Sequence, residues 1–164
     1  MKKQLRICFL LLQCLVLCFL VVCGAHGASS SPSYALYIYV WHHEDSPTYG
    51  NYEFFAFSKD GTVKSCHVQV DGVRGKPFID NVATWLMSNT GLSEGTYTIS
   101  GSDVTFTTSA AQGAVVDYQC TLTDEGLDFS SKSRTTGFEN SSVMVYVGIL
   151  QDEKVAYTPN FSIQ

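Results

Sequence analysis

The densest group of side chains able to do chemistry is the run His42-His43-Glu44-Asp45, to which His67 can be added. Imidazole and carboxylate groups suit zinc and similar ions, so this run is a candidate metal site. Neighbouring strand residues point to opposite faces, so His42 and His43 share an ion only if the chain turns there, as the following Ser46-Pro47 suggests. We interpret the run as a solvated strand end and loop, and we predict no metal site.

We assign no catalytic centre to this sequence. We identify no Gly-x-Ser-x-Gly nucleophile elbow and no Ser-x-x-Lys with its companion motifs, and Ser65-Cys66-His67 and Ser131-Lys132 are chance neighbours. Carboxylate pairs such as Asp124-Glu125 and Asp152-Glu153 lie in predicted turns, where acidic residues serve turn geometry and solubility. We therefore predict no catalytic residues, no cofactor and no enzyme activity. A hydrolase with an unrecognised site is the weaker alternative.

Aromatic residues crowd the first two predicted strands on both faces. In a closed barrel, inward-facing rings can line a pocket for a small apolar ligand. The alternative is that the inner rings fill the barrel solidly while the outer rings cover a partner or a helix. The candidate ligand-binding residues are Tyr37, Tyr39, Trp41, Phe54 and Trp85.

Only two of the six cysteines, Cys66 and Cys120, lie beyond the first 27 residues. Strand alternation groups each of them with apolar neighbours, so we predict that both face the core. In an oxidising compartment the two thiols are a candidate disulfide. The alternative is two separate buried thiols that act as small apolar side chains.

The first 27 residues have the order of a secretory signal peptide. Basic residues begin the chain, residues 7–23 are apolar except for Gln13, and small residues follow. Cleavage after Ala25 or Gly27 would release a secreted, periplasmic or otherwise extracytoplasmic protein. The alternative is an uncleaved anchor formed by residues 7–23, which is the only membrane contact that we predict.

The net charge of the chain argues against a nucleic-acid partner. The leader holds three of the ten basic residues and none of the fifteen acidic ones, so the rest of the chain has a net charge of about −8. A surface this acidic repels phosphate backbones, and we predict no nucleic-acid partner.

Beyond a serine-rich tether at residues 28–33, short runs of Val, Ile, Tyr, Phe and Thr alternate with Gly and Asp turns. Residues 77–89 break this pattern, because apolar side chains recur there at helical spacing after Pro77. We predict one all-β domain over residues 34–164. It is an antiparallel meander of about eight strands that closes into a small barrel, with one short helix near 77–89.

Several of these segments resemble a group of small, uncharacterised, secreted lipocalin-like proteins. The resemblance covers roughly residues 52–146 and rests on the runs 57–63, 95–101 and 104–106 and on Trp85. It implies a calycin-type barrel. The Gly-x-Trp of true lipocalins is absent, since Tyr39-Val40 precedes Trp41.

The expected function is that of an exported, non-catalytic binding or interaction domain. In one version the barrel holds a small apolar ligand. In the other, a solid-core barrel meets an envelope or extracellular protein through its outer surface.

Overall fold

Strand-forming runs separated by tight turns fold into nine antiparallel strands and one helix in the described part of the chain. The computed structural model describes residues 32–43, 46–71, 75–89, 92–110, 113–159 and 161. The strands are β1 (Tyr34–His43), β2 (Ser46–Ser58), β3 (Thr62–Asp71), β4 (Ser93–Ser100), β5 (Asp103–Ser109), β6 (Val115–Leu122), β7 (Gly126–Ser133), β8 (Glu139–Gln151) and β9 (Lys154–Tyr157). The helix α1 (Lys76–Ser88) connects β3 to β4.

The strands close into a barrel because the first one returns to the eighth. Each strand pairs with the next in sequence, and β1 also pairs with β8. Strand β9 then extends the sheet from the last residues of β8. The predicted all-β meander with about eight barrel strands and one short helix is confirmed.

The two seams that join β1–β3 to the rest of the barrel are short. Strand β1 pairs with β8 only over Tyr34–Ile38, and β3 pairs with β4 only over Thr62–Ser65. Beyond these seams, β1, β2 and β3 pair only with one another among the described residues. We call the end of the barrel beyond the two seams the open end, and the opposite end the closed end.

Strand β2 is apolar on both faces because each face is buried against a different layer. Its Phe55 and Phe57 point into the barrel, whereas Tyr52 and Phe54 point outward. The outer cluster packs under α1, and the inner cluster fills the barrel. Both faces of β2 therefore carry apolar residues in the sequence.

Helix α1 covers the outer face of β1–β3 with one side. Its buried residues Ile79, Val82, Ala83 and Leu86 recur at the spacing of a single helical face. Pro77 suits the first turn, where its missing N–H has no acceptor to lose. The helix therefore seals the outside of the barrel rather than one of its mouths.

The two cysteines correct a prediction. Both are buried free thiols, as the alternative reading expected, but only Cys120 faces the barrel interior. Cys66 points outward into the cluster under α1, because β3 presents its apolar face to the helix. The wall of the barrel separates the sulfurs, so the candidate disulfide is not formed. Burial raises the pKa of each thiol to about 12.

The predicted leader lies outside the described residues. The residues from Pro32 onward belong to one compact unit. Within the described ranges, no helix combines the length and the hydropathy needed to cross a bilayer.

Candidate binding site at the open end of the barrel

Polar side chains occupy the inner face of the barrel toward its open end. Along β2, the inward positions change from Phe57 and Phe55 near the closed end to Glu53 and Asn51 near the open end. The change matters because inward positions of a small barrel are ordinarily filled by apolar side chains. A carboxylate and an amide therefore face the interior where the seams have ended.

Glu53 is the central group of this cluster. The phenol of Tyr118, on β6 across the barrel, donates a hydrogen bond to Oε1 of Glu53 (3.1 Å). Burial raises the pKa of the Glu53 carboxyl, and the Tyr118 hydrogen bond opposes that rise only in part. Burial also raises the pKa of Tyr118, so its hydroxyl remains a donor at neutral pH.

Two neighbouring strands flank Glu53 with ring side chains. Tyr39 of β1 and His67 of β3 are its cross-strand partners and share its face. Nε2 of His67 donates to Oδ1 of the buried Asn51 (3.2 Å). Partial desolvation lowers the pKa of the half-covered His67 ring, so the imidazole beside Glu53 is neutral at neutral pH.

Side-chain contacts connect the two walls of the open end where backbone pairing has stopped. Nδ2 of Asn140, on β8, donates to the hydroxyl of Tyr39 on β1 (3.4 Å). The ring of Tyr39 meets the ring of Phe129 edge to face, with centroids 5.2 Å apart. Together with the pair of Tyr118 and Glu53, these contacts position β1 and β2 against β6–β8.

Aromatic rings form the floor beneath Glu53. The Tyr118 ring stacks on Phe106 with centroids 4.4 Å apart and contacts Phe55 at 5.4 Å and Phe129 at 6.2 Å. Toward the closed end, Phe57 makes edge-to-face contacts with Phe106 and with two further rings, those of Tyr37 and Tyr97. This half of the interior is solid.

Several inward-facing side chains at the open end are less buried than the rings below them, although Asn51 is 5% exposed. Tyr39, Glu53, Ser131 and Asn140 are inward-facing yet only half-buried, and His67 is exposed. By contrast, Phe106 and Phe129 below them are almost fully buried, at 4% and 5% exposure. We call this set of polar inward-facing side chains, together with the aromatic floor beneath it, the cup.

The Glu53 carboxylate lacks a cation among the described residues. The ion pairs in this part of the chain join Lys64 to Glu94, Lys132 to Glu139 and Arg134 to Asp117. Strand alternation places Lys64, Lys132 and Asp117 on the outside of the barrel. Within the described ranges, a negative charge on Glu53 is thus compensated by hydrogen bonding alone.

A concave surface also lies on the outside of β4–β8. It is a shallow groove of about 670 Å³ lined largely by short polar side chains such as Thr98, Thr105 and Ser130. Its polar groups largely satisfy one another, since Thr98 bonds Thr105 (2.8 Å) and Thr107 donates to Asp117 (2.7 Å). This mutual pairing makes the groove the weaker candidate.

The residues predicted to bind a ligand are divided by the barrel wall. Tyr37 and Tyr39 face the interior, and only Tyr39 lies at the open end. Phe54 faces outward and is fully buried under α1, next to Phe78 (centroids 6.1 Å apart). Trp85 is 45% exposed on the helix. Trp41 belongs to β1, but its side chain lies outside the described part of the structure.

Two other motifs need a structural account. The side chains of residues 42–45 lie outside the described ones, and within the described ranges no three His, Cys, Asp or Glu residues form a group able to hold a metal. The prediction that the chain lacks a Gly-x-Ser-x-Gly spacing was wrong, because residues 91–95 have it. A nucleophile elbow runs from a strand into a helix, whereas here a helix precedes and Ser93 begins β4.

Sequence reasoning missed the residues that form the cup: Asn51, Glu53, His67, Tyr118 and Asn140 come from four different strands. One signal was available, because Glu53 interrupts an aromatic-rich strand at a position in phase with Phe55 and Phe57.

Comparisons with protein-family models, with curated proteins and with solved structures found no match. The lipocalin-like resemblance therefore stays a prediction. The function has to be argued from the geometry of the cup.

Proposed function

We propose that this chain is an exported, non-catalytic binding domain that holds a small ligand in the cup at the open end. The observation that carries the proposal is the contrast between the two ends of the interior. The closed end is filled by interlocking rings, while the open end presents half-buried polar groups above an aromatic floor. Binding sites for small molecules are typically concave and apolar, with a few convergent polar groups.

The expected ligand has an apolar body and at least one hydrogen-bonding group. The rings of Tyr39, Tyr118 and Phe129 offer the apolar contact, and the carboxylate of Glu53 accepts hydrogen bonds. This refines the predicted small apolar ligand, since a wholly apolar molecule would leave Glu53 desolvated without a new partner.

Two neighbouring serines on β7 allow a matched test. Ser131 faces the cup and Ser130 faces the outer groove, because Ser131 pairs with the inward Tyr118. We expect Nile red, a neutral polarity-sensitive dye, to gain fluorescence with the wild-type protein. Ser131→Trp should remove at least nine-tenths of that gain by filling the cup, whereas Ser130→Trp should leave it unchanged.

The same pair tests the competing surface. Loss of dye binding in Ser130→Trp alone would transfer the binding function to the outer groove of β4–β8 and favour a solid-core interaction protein. Absence of any fluorescence gain with the wild-type protein would contradict the cup as a site for apolar bodies. Circular dichroism of both variants checks that the barrel has folded.

A further inference from the structure

The chemistry of the cup identifies a class of ligand, an inference that rests on the proposed function. We propose that the cup binds organic cations, in which an ammonium group is joined to an aromatic or apolar body. The ammonium pairs with the carboxylate of Glu53, and the body packs on the rings of Tyr39, Tyr118 and Phe129.

The Glu53 carboxylate has no cationic partner among the described residues. Glu53 faces the interior and accepts one hydrogen bond from Tyr118, and no ion pair of the described residues involves it. A carboxylate in a low-dielectric site attracts a cation more strongly than one in water does. A ligand that brings a positive charge supplies a partner that the described part of the chain does not.

Aromatic rings lie around the Glu53 carboxylate. Tyr39 is the cross-strand neighbour of Glu53 and contacts Phe129, which in turn contacts the ring of Tyr118. The carboxylate therefore lies next to Tyr39 and Tyr118, and the rings of both tyrosines contact the ring of Phe129. Aromatic faces attract ammonium groups through their quadrupoles, so carboxylate and rings favour the same class of ligand.

The groups around Glu53 disfavour a negatively charged ligand. Among the described residues, the groups that face Glu53 are Tyr39 from β1, His67 from β3 and Tyr118 from β6. None of these three carries a positive charge at neutral pH, because partial desolvation lowers the pKa of His67 below its ordinary value. An anionic ligand would meet the carboxylate without a compensating cation and is rejected.

Three ligands of nearly equal shape test the inference by calorimetry. Tryptamine carries an ammonium, 3-propylindole replaces it with a methyl group, and indole-3-propionate carries a negative charge. We expect the wild-type protein to bind tryptamine at least about tenfold more tightly than 3-propylindole, as a hydrogen bond between charged groups implies. Binding of indole-3-propionate should be the weakest.

Glu53→Gln keeps the shape and the acceptor for Tyr118 but removes the charge. We expect this variant to lose the preference for tryptamine while it retains the affinity for 3-propylindole. Glu125→Gln, in the exposed turn between β6 and β7, is the matched control and should keep the wild-type preference.

A measurement on the wild-type protein makes the test independent of any variant. Tryptamine stays charged below neutral pH, so its affinity should fall as pH decreases through the pKa of Glu53, while that of 3-propylindole stays constant. Protonation of His67 acts in the same direction, and His67→Gln separates the two effects because the fall should persist in that variant.

The failures of the two proposals are distinguishable. If Nile red binds in the cup but the three indoles show equal affinity, the cation class is wrong and the binding site stands. If neither Nile red nor any indole binds, the proposed function fails as well. A preference for tryptamine that survives in Glu53→Gln would also overturn the inference, because the charge would then be recognised elsewhere.

Discussion

Glu53 occupies a position at which the rest of β2 favours an apolar side chain. Its neighbours along the inner face toward the closed end are Phe55 and Phe57, at 0% and 7% exposure. Burial raises the pKa of Glu53 above its ordinary value of 4.5. A folded-state pKa above the unfolded one means that the folded state holds the proton more tightly. Ionised Glu53 therefore destabilises the protein, as is common for groups retained for binding.

Glu53→Gln tests this cost through the pH dependence of stability. The wild-type protein should lose free energy of unfolding as pH rises from the ordinary pKa of 4.5 through the raised folded-state value, and the glutamine variant should lose less over the same window. The stability difference should therefore be small near about pH 4 and favour the variant above the window. Urea denaturation at several pH values measures it.

Glu125→Gln is again the control, since its side chain is exposed and should follow the wild-type curve. A difference between the wild-type protein and Glu53→Gln that stays constant from acid to neutral pH would contradict the burial of the Glu53 charge.

At the residue scale, the sequence revealed the types of side chain but not how they combine. The aromatic excess of the first two strands was evident, and it supplies Tyr39 and Phe55 to the interior. The sequence did not predict the directions in which Phe54 and Cys66 point. Strand β2 is buried on both faces, and β3 turns its apolar face outward to the helix, so alternation alone does not say which face points inward.

At the scale of elements, the seam between β3 and β4 closes the barrel with four residue pairs. Gly95 lies within it, opposite Val63 on β3 and Thr108 on β5. A Cβ atom at Gly95 would overlap the carbonyl oxygen of Thr107, which is backbone and cannot move aside. The strands approach closely here because residue 95 has no side chain.

Gly95→Ala should therefore lower the free energy of unfolding by about 3 kcal/mol or more, or prevent folding. Gly75→Ala, just before α1, is the matched control. Its Cβ would meet only Cδ of Pro77 at 3.8 Å, an ordinary contact, and the expected loss is below about 1 kcal/mol. Denaturant titration compares the two, and equal stabilities would contradict the close approach at this seam.

Elements themselves were largely predictable. The helix near 77–89 was evident from its apolar spacing and Pro77, and the strands from their turn residues. The short seams were not, because their length depends on where β1 and β8, more than 100 residues apart, stop pairing. No local sequence pattern indicates where this pairing stops.

At the scale of the whole molecule, the interior is divided along the barrel axis. A filled aromatic half maintains the fold, while the half beyond the seams carries a carboxylate and a neutral imidazole that a purely structural core would not need. The helix covers the outside of β1–β3 rather than this end of the interior. Fold and binding site thus use opposite halves of one barrel.

The most direct test of the cup is the position of a bound amine, measured by intermolecular nuclear Overhauser effects between tryptamine and the protein. We expect contacts from the indole protons to the rings of Tyr39 and Tyr118 and to the methyl group of Thr108, which is inward-facing and 3% exposed. Contacts instead to the methyl groups of Thr98 and Thr105 on the outer groove, or to Trp85 on the helix, would contradict the account.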